Sequence, residues 1–364
     1  MIERPLVFIP GIYCSTLAIN DNIFWPPSKF SSSTVRDVLD KLGTNIRTTV
    51  GQDVPAVANA LFPSIYDVFI NSMSSSSGYT PDNFWTFPYD WRQSNNISGK
   101  MLTDFIKNKI QGTNWDAVDV VCHSMGGFVA RAAIVNHRAP IKRTVYIATP
   151  HYGTPQAYFA LNPEIHTAMS SIAQGFLFFL TLDKDLKDLL DADTILEKDL
   201  KHLFRKWPSM YELMPDRFYL DKEAMIFLNG ILSINGVDKT YLSGGLEFKL
   251  QEMRDQVNHA MEFKDKLGEK LRGEQDDILV IFNEDNQTLD RVYYNDKTKD
   301  ELVLPSSLKT GDLLVVAKSA MCSMSGSPLY NSRSISKCDH LAIPNDQRTI
   351  NEIMKYLNPL CYYL

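Results

Sequence analysis

With 364 residues, 44% of them hydrophobic and 22% charged, the chain is long enough to bury an ordinary core as one large domain carrying an insertion. Its formal net charge of -6 and pI near 5.7 exclude the basic face that a nucleic-acid partner needs. No apolar run reaches the ~18 residues of a membrane-crossing helix, which excludes a transmembrane segment.

The N-terminus, MIERPLVFIPG, has no basic n-region ahead of an apolar h-region, so it reads as free of a signal peptide. The five cysteines are odd in number and form no CxxC pair. That usage fits reduced thiols, with Cys322 and Cys338 the one pair spaced to bridge a loop. The expected location is therefore cytoplasmic, or secreted if a leader has been removed.

PLVFI, residues 5–9, is a short apolar strand ending in Pro10-Gly11. The serine clusters at 31–33 and 74–77 predict polar loops. AVDVVC (117–122) is a second strand, residues 125–135 a helix, and TVYIA (144–148) a third strand. These strands are continuous apolar runs and not alternations, the pattern of parallel strands buried on both faces. From 155 to about 272 helical spacing takes over, at Leu186, Leu189, Leu190, Ile195, Leu196, Leu200, Leu203 and Phe204 and again from Leu250 to Leu271. Its most apolar stretch, residues 167–182, is too short to cross a bilayer and suits a buried or lipid-facing helix. Strand signals return at 278–282, 291–294 and 313–317, and a helix at 348–357 carries Ile350, Ile353, Met354 and Leu357 on one stripe. The expected fold is an α/β core of mostly parallel sheet flanked by helices, in two parts (1–154 and 276–364), with an all-helical cap inserted at 155–275.

VVCHSMGGFVA, residues 120–130, resembles a G-x-S-x-G nucleophile elbow in which Cys122 replaces the first glycine. The valine-rich strand before it and the helix after it are the context such an elbow requires. Cysteine is small and unbranched at Cβ, so it loosens the strand-side packing constraint without breaking it. Ser124 is the candidate nucleophile; the plainer reading is a serine at a helix N-terminus.

An activated hydroxyl needs a base, and the base needs an orienting carboxylate. Enzymes built on this elbow place them in the chain order Ser, acid, His. Of seven histidines only His340 follows all the strand signals, in the polar loop KCDHLAIPND. His123 more naturally shapes the turn, and His259 lies on the surface of a cap helix. For the acid, Asp312 follows Gly311 in TGDLLVVAKSA, with Glu284 and Asp285 as competitors; Asp339, adjacent to His340, points away from its ring. Donors for a developing oxyanion are expected from the backbone N–H of Met125 and, in the loop IPGIYCS, of Ile12. Phe176, Leu177, Phe178 and Phe179 are candidates for an acyl pocket or a lipid-surface contact, and equally for cap core.

Several segments together resemble the lecithin:cholesterol acyltransferase family, whose members include lysosomal-type phospholipases A. They are VFIPGIYCS (7–15), TFPYDWR (86–92), CHSMGG (122–127), IATPHYGTP (147–155), WPSMYELMP (207–215), a Gly-Asp at 311–312 and a late Asp-His at 339–340. The resemblance implies an α/β-hydrolase fold, Ser124 as nucleophile, Asp312 as acid, His340 as base, and Ile12 and Met125 as oxyanion donors. It implies acyl-ester substrates, usually glycerophospholipids, with water or an alcohol as acceptor; a serine–histidine mechanism needs no metal or organic cofactor, and the sequence offers no ligand cluster for one. The chain departs from the family at its acid motif, where G-D-G-x-V becomes GDLLV. Asp90 and Arg92 are expected to form a buried structural pair with Trp91 in the core, and WPSMYELMP to anchor the cap. Two other readings remain open: an inactive hydrolase fold that binds a lipid or partner protein, and a thioesterase or acyltransferase of a biosynthetic pathway.

Overall fold

The computed structural model describes residues 2–19, 22–26, 32–43, 49–50, 65–76, 78–161, 202–216, 219, 226–228, 254–268, 271–272, 277–290, 293–295, 300–302, 308–323 and 330–359. Among them a six-stranded sheet forms the centre: β1 (Leu6–Ile9), β2 (Phe84–Thr86), β3 (Val118–His123), β4 (Ile141–Ile147), β5 (Ile278–Phe282) and β6 (Asn331–Ser334). Its spatial order is β6-β5-β4-β3-β1-β2, and every pairing is parallel. β1, β3 and β5 are buried along their whole length: β1 and β5 are unbroken apolar runs, and in β3 the buried Asp119 is paired with Arg143. Each fully buried Val, Leu, Ile or Phe there contributes about 1.5–3 kcal/mol relative to exposure.

Helices cover the sheet: α1 (Asp67–Ser76), α2 (Asn95–Ile110), α3 (Gly126–His137), α4 (Pro208–Glu212), α5 (Arg254–Leu267) and α6 (Gln347–Leu357). α6 starts where the Asp346 carboxylate accepts the Arg348 N–H at 2.8 Å, and it buries Ile350, Ile353 and Leu357. Met354, on the same predicted stripe, is half-buried.

Three expectations fail here. Ser32 and Ser33 begin the helix Ser32–Leu42, and Ser74 to Ser76 end α1. In α1 the buried Phe69 and Met73, four residues apart, dock the segment, and packing overrides the weak helix preference of serine. The cap segment is not all helical, because Ile226–Leu228 is a strand parallel to Tyr293–Asn295, which pairs antiparallel with Asp300–Leu302. Residues 313–317 are not a strand either; they form a turn leading into the helix Ala317–Ala320. The leucine repeat from Leu186 to Leu200, and Leu250 and Met253, lie outside the described residues.

The segment WPSMYELMP is bolted to the core. Trp207 Nε1 donates to the Leu42 carbonyl at 3.2 Å, and Ser209 Oγ to the Trp91 carbonyl at 2.6 Å. The Glu212 carboxylate caps the start of α2, accepting Ser94 Oγ at 2.6 Å and the backbone and side-chain amides of Asn95 at 2.7 Å each. Burial pushes its pKa up to about 7 despite those donors. Tyr13, Trp25, Trp91 and Trp207 pack edge to face around this anchor, with Trp91 5.1 Å from Trp207 and 5.0 Å from Tyr13 between ring centres. Asp90 and Arg92 form the expected buried pair, joined twice at 2.9 and 2.8 Å. Arg205 Nε donates to the Leu161 carbonyl at 2.9 Å, which ties the 202–216 segment to the end of the 78–161 segment. Among the described residues no helix is long and apolar enough to cross a membrane.

Candidate active site

β3 ends at His123, and Ser124 turns the chain with a left-handed backbone, φ 53°, before α3 begins. Only a tightly determined environment keeps a non-glycine residue in that region. The turn is fixed from both sides: the Ser124 N–H donates to the Ile147 carbonyl at 2.9 Å, and Gly127 N–H to the Ser124 carbonyl at 3.0 Å. The helix side demands glycine. A Cβ at Gly126 would come within 2.6 Å of the Pro10 carbonyl oxygen, and one at Gly127 within 2.2 Å of Thr149 Oγ1. The strand side does not. Cys122 is fully buried between Ile9 of β1 and Tyr146 of β4, and its thiol donates to the Val145 carbonyl at 3.3 Å. Burial holds that thiol well above its ordinary pKa, so it stays protonated and inert.

The structure brings Ser124, His340 and Asp312 together. Ser124 Oγ lies 2.8 Å from His340 Nε2, and His340 Nδ1 lies 2.8 Å from Asp312 Oδ2. All three are buried, at 5%, 5% and 1% exposure, which keeps water from competing for these bonds. The other Asp312 oxygen accepts the N–H groups of Leu314 at 3.0 Å and Val315 at 2.7 Å, and the His340 N–H donates to the Asp312 carbonyl at 3.1 Å. Those amide contacts are why residues 313–317 leave the sheet: the carboxylate satisfies N–H groups that a strand would have offered to a neighbour.

Leu313 stands where the resemblance leads one to expect the second glycine of the acid motif. It adopts φ 83°, the left-handed region that favours glycine, with 49% of its side chain exposed. The acid turn therefore survives the substitution under strain. Leu313→Gly is expected to relieve that strain and, net of glycine's larger unfolded-state entropy, to stabilise the fold by about 0.5–1 kcal/mol. A thermal melt reads this as a midpoint rise of roughly 1–3 °C, and a fall counts against the strain.

The competing acids are committed elsewhere. Asp285 Oδ2 accepts the Lys337 N–H at 2.7 Å, and Glu284 is exposed. Asp339 accepts the N–H groups of Leu341 at 3.1 Å and Ala342 at 2.7 Å, which turns it away from the His340 ring. Among the other histidines, His202 and His259 are exposed, His137 bonds the Asn96 carbonyl at 3.0 Å, and His151 is buried beside Arg131. His166 lies outside the described residues.

The two candidate oxyanion donors belong to segments that adjoin Ser124. Met125 follows Ser124 directly, and the loop at Gly11 packs so closely that a Cβ there would sit 3.1 Å from Ser124 Cβ. Among the described residues neither the Ile12 nor the Met125 N–H has a hydrogen-bond partner, although Met125 is buried and Ile12 half-buried. Free N–H groups in such a place are costly unless something is meant to accept from them. Phe176, Leu177, Phe178 and Phe179 lie outside the described residues. Cys14, Cys122, Cys322 and Cys338 are all free thiols, so the bridge between Cys322 and Cys338 is not made. Among the described residues no three His, Cys, Asp or Glu side chains group as metal ligands would.

Sequence reasoning missed Tyr66. Its hydroxyl accepts the Gly11 N–H at 2.9 Å and lies 2.8 Å from His123 Nδ1. A tyrosine ahead of an amphipathic helix carries no signal for contacts with residues 55 and 57 positions away.

Residues 59–168 match the lecithin:cholesterol acyltransferase family. Among solved structures, a chain in the crystal structure of the Tle4-Tli4 complex is similar over 99% of both chains, at 13% identity and a TM-score of 0.64. The mature form of the Bacillus licheniformis lipase BlEst2 aligns over 97% of this chain and 91% of its own, at 14% identity and a TM-score of 0.42. At 13% identity the likeness to the Tle4-Tli4 chain speaks to the fold alone, and with the parallel six-stranded sheet that fold is that of the α/β-hydrolases. None of the curated proteins compared with the chain matches it.

Proposed function

We propose, taking the match of residues 59–168 to the lecithin:cholesterol acyltransferase family as the premise, that this protein hydrolyses or transfers the acyl group of esters, lipid esters foremost. One observation carries the reading: Ser124 Oγ, His340 and Asp312 form an unbroken hydrogen-bonded chain, with both links at 2.8 Å. His340 Nε2 takes the proton of Ser124 as its oxygen attacks the ester carbonyl, a general-base step worth about 10²–10⁴-fold. The carbonyl oxygen gains the negative charge and accepts from the N–H groups of Ile12 and Met125, each such donor worth about 10²–10³ in kcat. Asp312 keeps the imidazole in the tautomer with its hydrogen on Nδ1 and stabilises the imidazolium as it forms. His340 then returns the proton to the departing alcohol, leaving an acyl group on Ser124. Water or a second alcohol, deprotonated by His340, attacks that acyl-enzyme and releases the serine.

The test is covalent labelling. A fluorophosphonate probe is expected to modify the wild-type protein once, on the peptide containing Ser124, and to extinguish hydrolysis of a p-nitrophenyl ester in proportion. A folded protein that neither takes up the probe nor cleaves such esters would be an inert scaffold that binds lipid, and the proposal would be wrong.

A further inference from the structure

Three loops must meet for the proposed chemistry: the loop after β1 that carries Ile12, the elbow, and the loop that carries His340. One buried hydrogen-bond chain touches all three. The Gly11 N–H donates to Tyr66 Oη at 2.9 Å, Tyr66 Oη lies 2.8 Å from His123 Nδ1, and His123 Nε2 lies 2.9 Å from the main-chain oxygen of His340. Tyr66 and His123 are each 1% exposed, so no solvent substitutes for these partners.

The direction of every hydrogen follows from the ends. A main-chain carbonyl only accepts, so His123 Nε2 carries a hydrogen. Burial, reinforced by the neighbouring His340, holds the His123 pKa well below its ordinary value, so the ring is neutral and its Nδ1 is a lone pair. Tyr66 must therefore donate to Nδ1, which leaves its oxygen to accept from Gly11. The Cys14 thiol beside Tyr66 adds no charge, because burial pushes its pKa up to about 12. The chain has a single satisfied orientation, running from Gly11 through Tyr66 and His123 to His340.

The segment carrying Tyr66 is itself tied down from the base side. Asn345, five residues past His340, accepts the Phe69 N–H at 3.1 Å and donates to the Ile65 carbonyl. The rings follow the same line, Tyr66 edge-on to His123 with centres 5.7 Å apart and His123 tilted against His340 at 5.0 Å.

We propose that Tyr66 and His123 are positioning residues of the Ser124 reaction. Their hydrogen bonds set the spacing between the oxyanion donor at Ile12, the nucleophile and the base. The proposal rests on Ser124 being that nucleophile. Neither side chain reacts; each acts through a backbone group whose placement the transition state needs to within a fraction of an ångström.

The experiment uses three variants of the full chain, each checked for folding by circular dichroism. Kinetics on a p-nitrophenyl ester are paired with inhibition by an alkylboronic acid, which forms a tetrahedral anion on a serine oxygen. Tyr66→Phe is expected to lower kcat about 10–100-fold with KM within about twofold, and to weaken boronate inhibition by a similar factor. His123→Gln can still present an N–H where Nε2 stood, whereas His123→Asn is too short to reach the His340 carbonyl. His123→Gln should therefore keep at least about tenfold more kcat than His123→Asn. Equal losses in the two His123 variants, or a folded Tyr66→Phe with unchanged kcat and boronate affinity, would overturn the positioning role. If Tyr66→Phe is unimpaired while wild-type Ser124 takes the fluorophosphonate, only the positioning role fails. If the wild type is not labelled, both readings fall.

Discussion

Ser124→Ala is expected to cut kcat on an ester substrate by about 10⁵–10⁶-fold while the protein melts within a degree or two of wild type. In the proposed mechanism nucleophile and base act as one unit, so removing the hydroxyl also idles His340 and Asp312. Adding His340→Ala to Ser124→Ala should cost little more, since the remaining rate would come from the oxyanion donors and from binding. Stability should barely move because alanine inherits the same φ of 53° as serine, and the bonds that fix the turn run through the backbone at Ile147 and Gly127. Steady-state kinetics with active-site titration reads the result. A folded variant that keeps more than about one part in a thousand of wild-type kcat would show that another group performs the attack.

Asp312→Asn should be the second most damaging single change, about 10⁴-fold in kcat. The geometry gives the reason. One carboxylate oxygen receives the N–H groups of Leu314 and Val315, at 3.0 and 2.7 Å, and an asparagine must keep its own oxygen there. Its NH₂ group then faces His340 Nδ1, where a donor meets a donor unless the imidazole moves its hydrogen to Nε2. That tautomer points a hydrogen at Ser124 and cannot take one from it. The pH–rate profile of the variant checks this, with recovery expected only where hydroxide replaces the lost base. A loss under tenfold would mean that the carboxylate does not govern the ring.

The parts of the site legible in the sequence were those with local signatures. A valine-rich strand, a serine and two glycines announce the elbow, because the steric demands at Gly126 and Gly127 come from neighbours that any such turn brings near. His340 was reachable by chain order, and Asp312 by the glycine before it. The error at residues 313–317 has a physical origin: LLVVA is an apolar run with no periodicity, and side chains outside it, Thr288 and Asp312, take up the amides of Leu313, Leu314 and Val315. The serine clusters misled for the converse reason, since Phe69 and Met73 supply burial that a local reading of Ser74 to Ser76 does not count. Tyr66 lay beyond reach because its worth depends on three loops meeting, which no stretch of sequence encodes.

The Cys122 thiol beneath the elbow has a practical consequence. Fully buried and held protonated, it offers alkylating reagents and oxidants no thiolate to attack. A sulfur atom can therefore sit two residues before Ser124 without becoming a point of chemical failure.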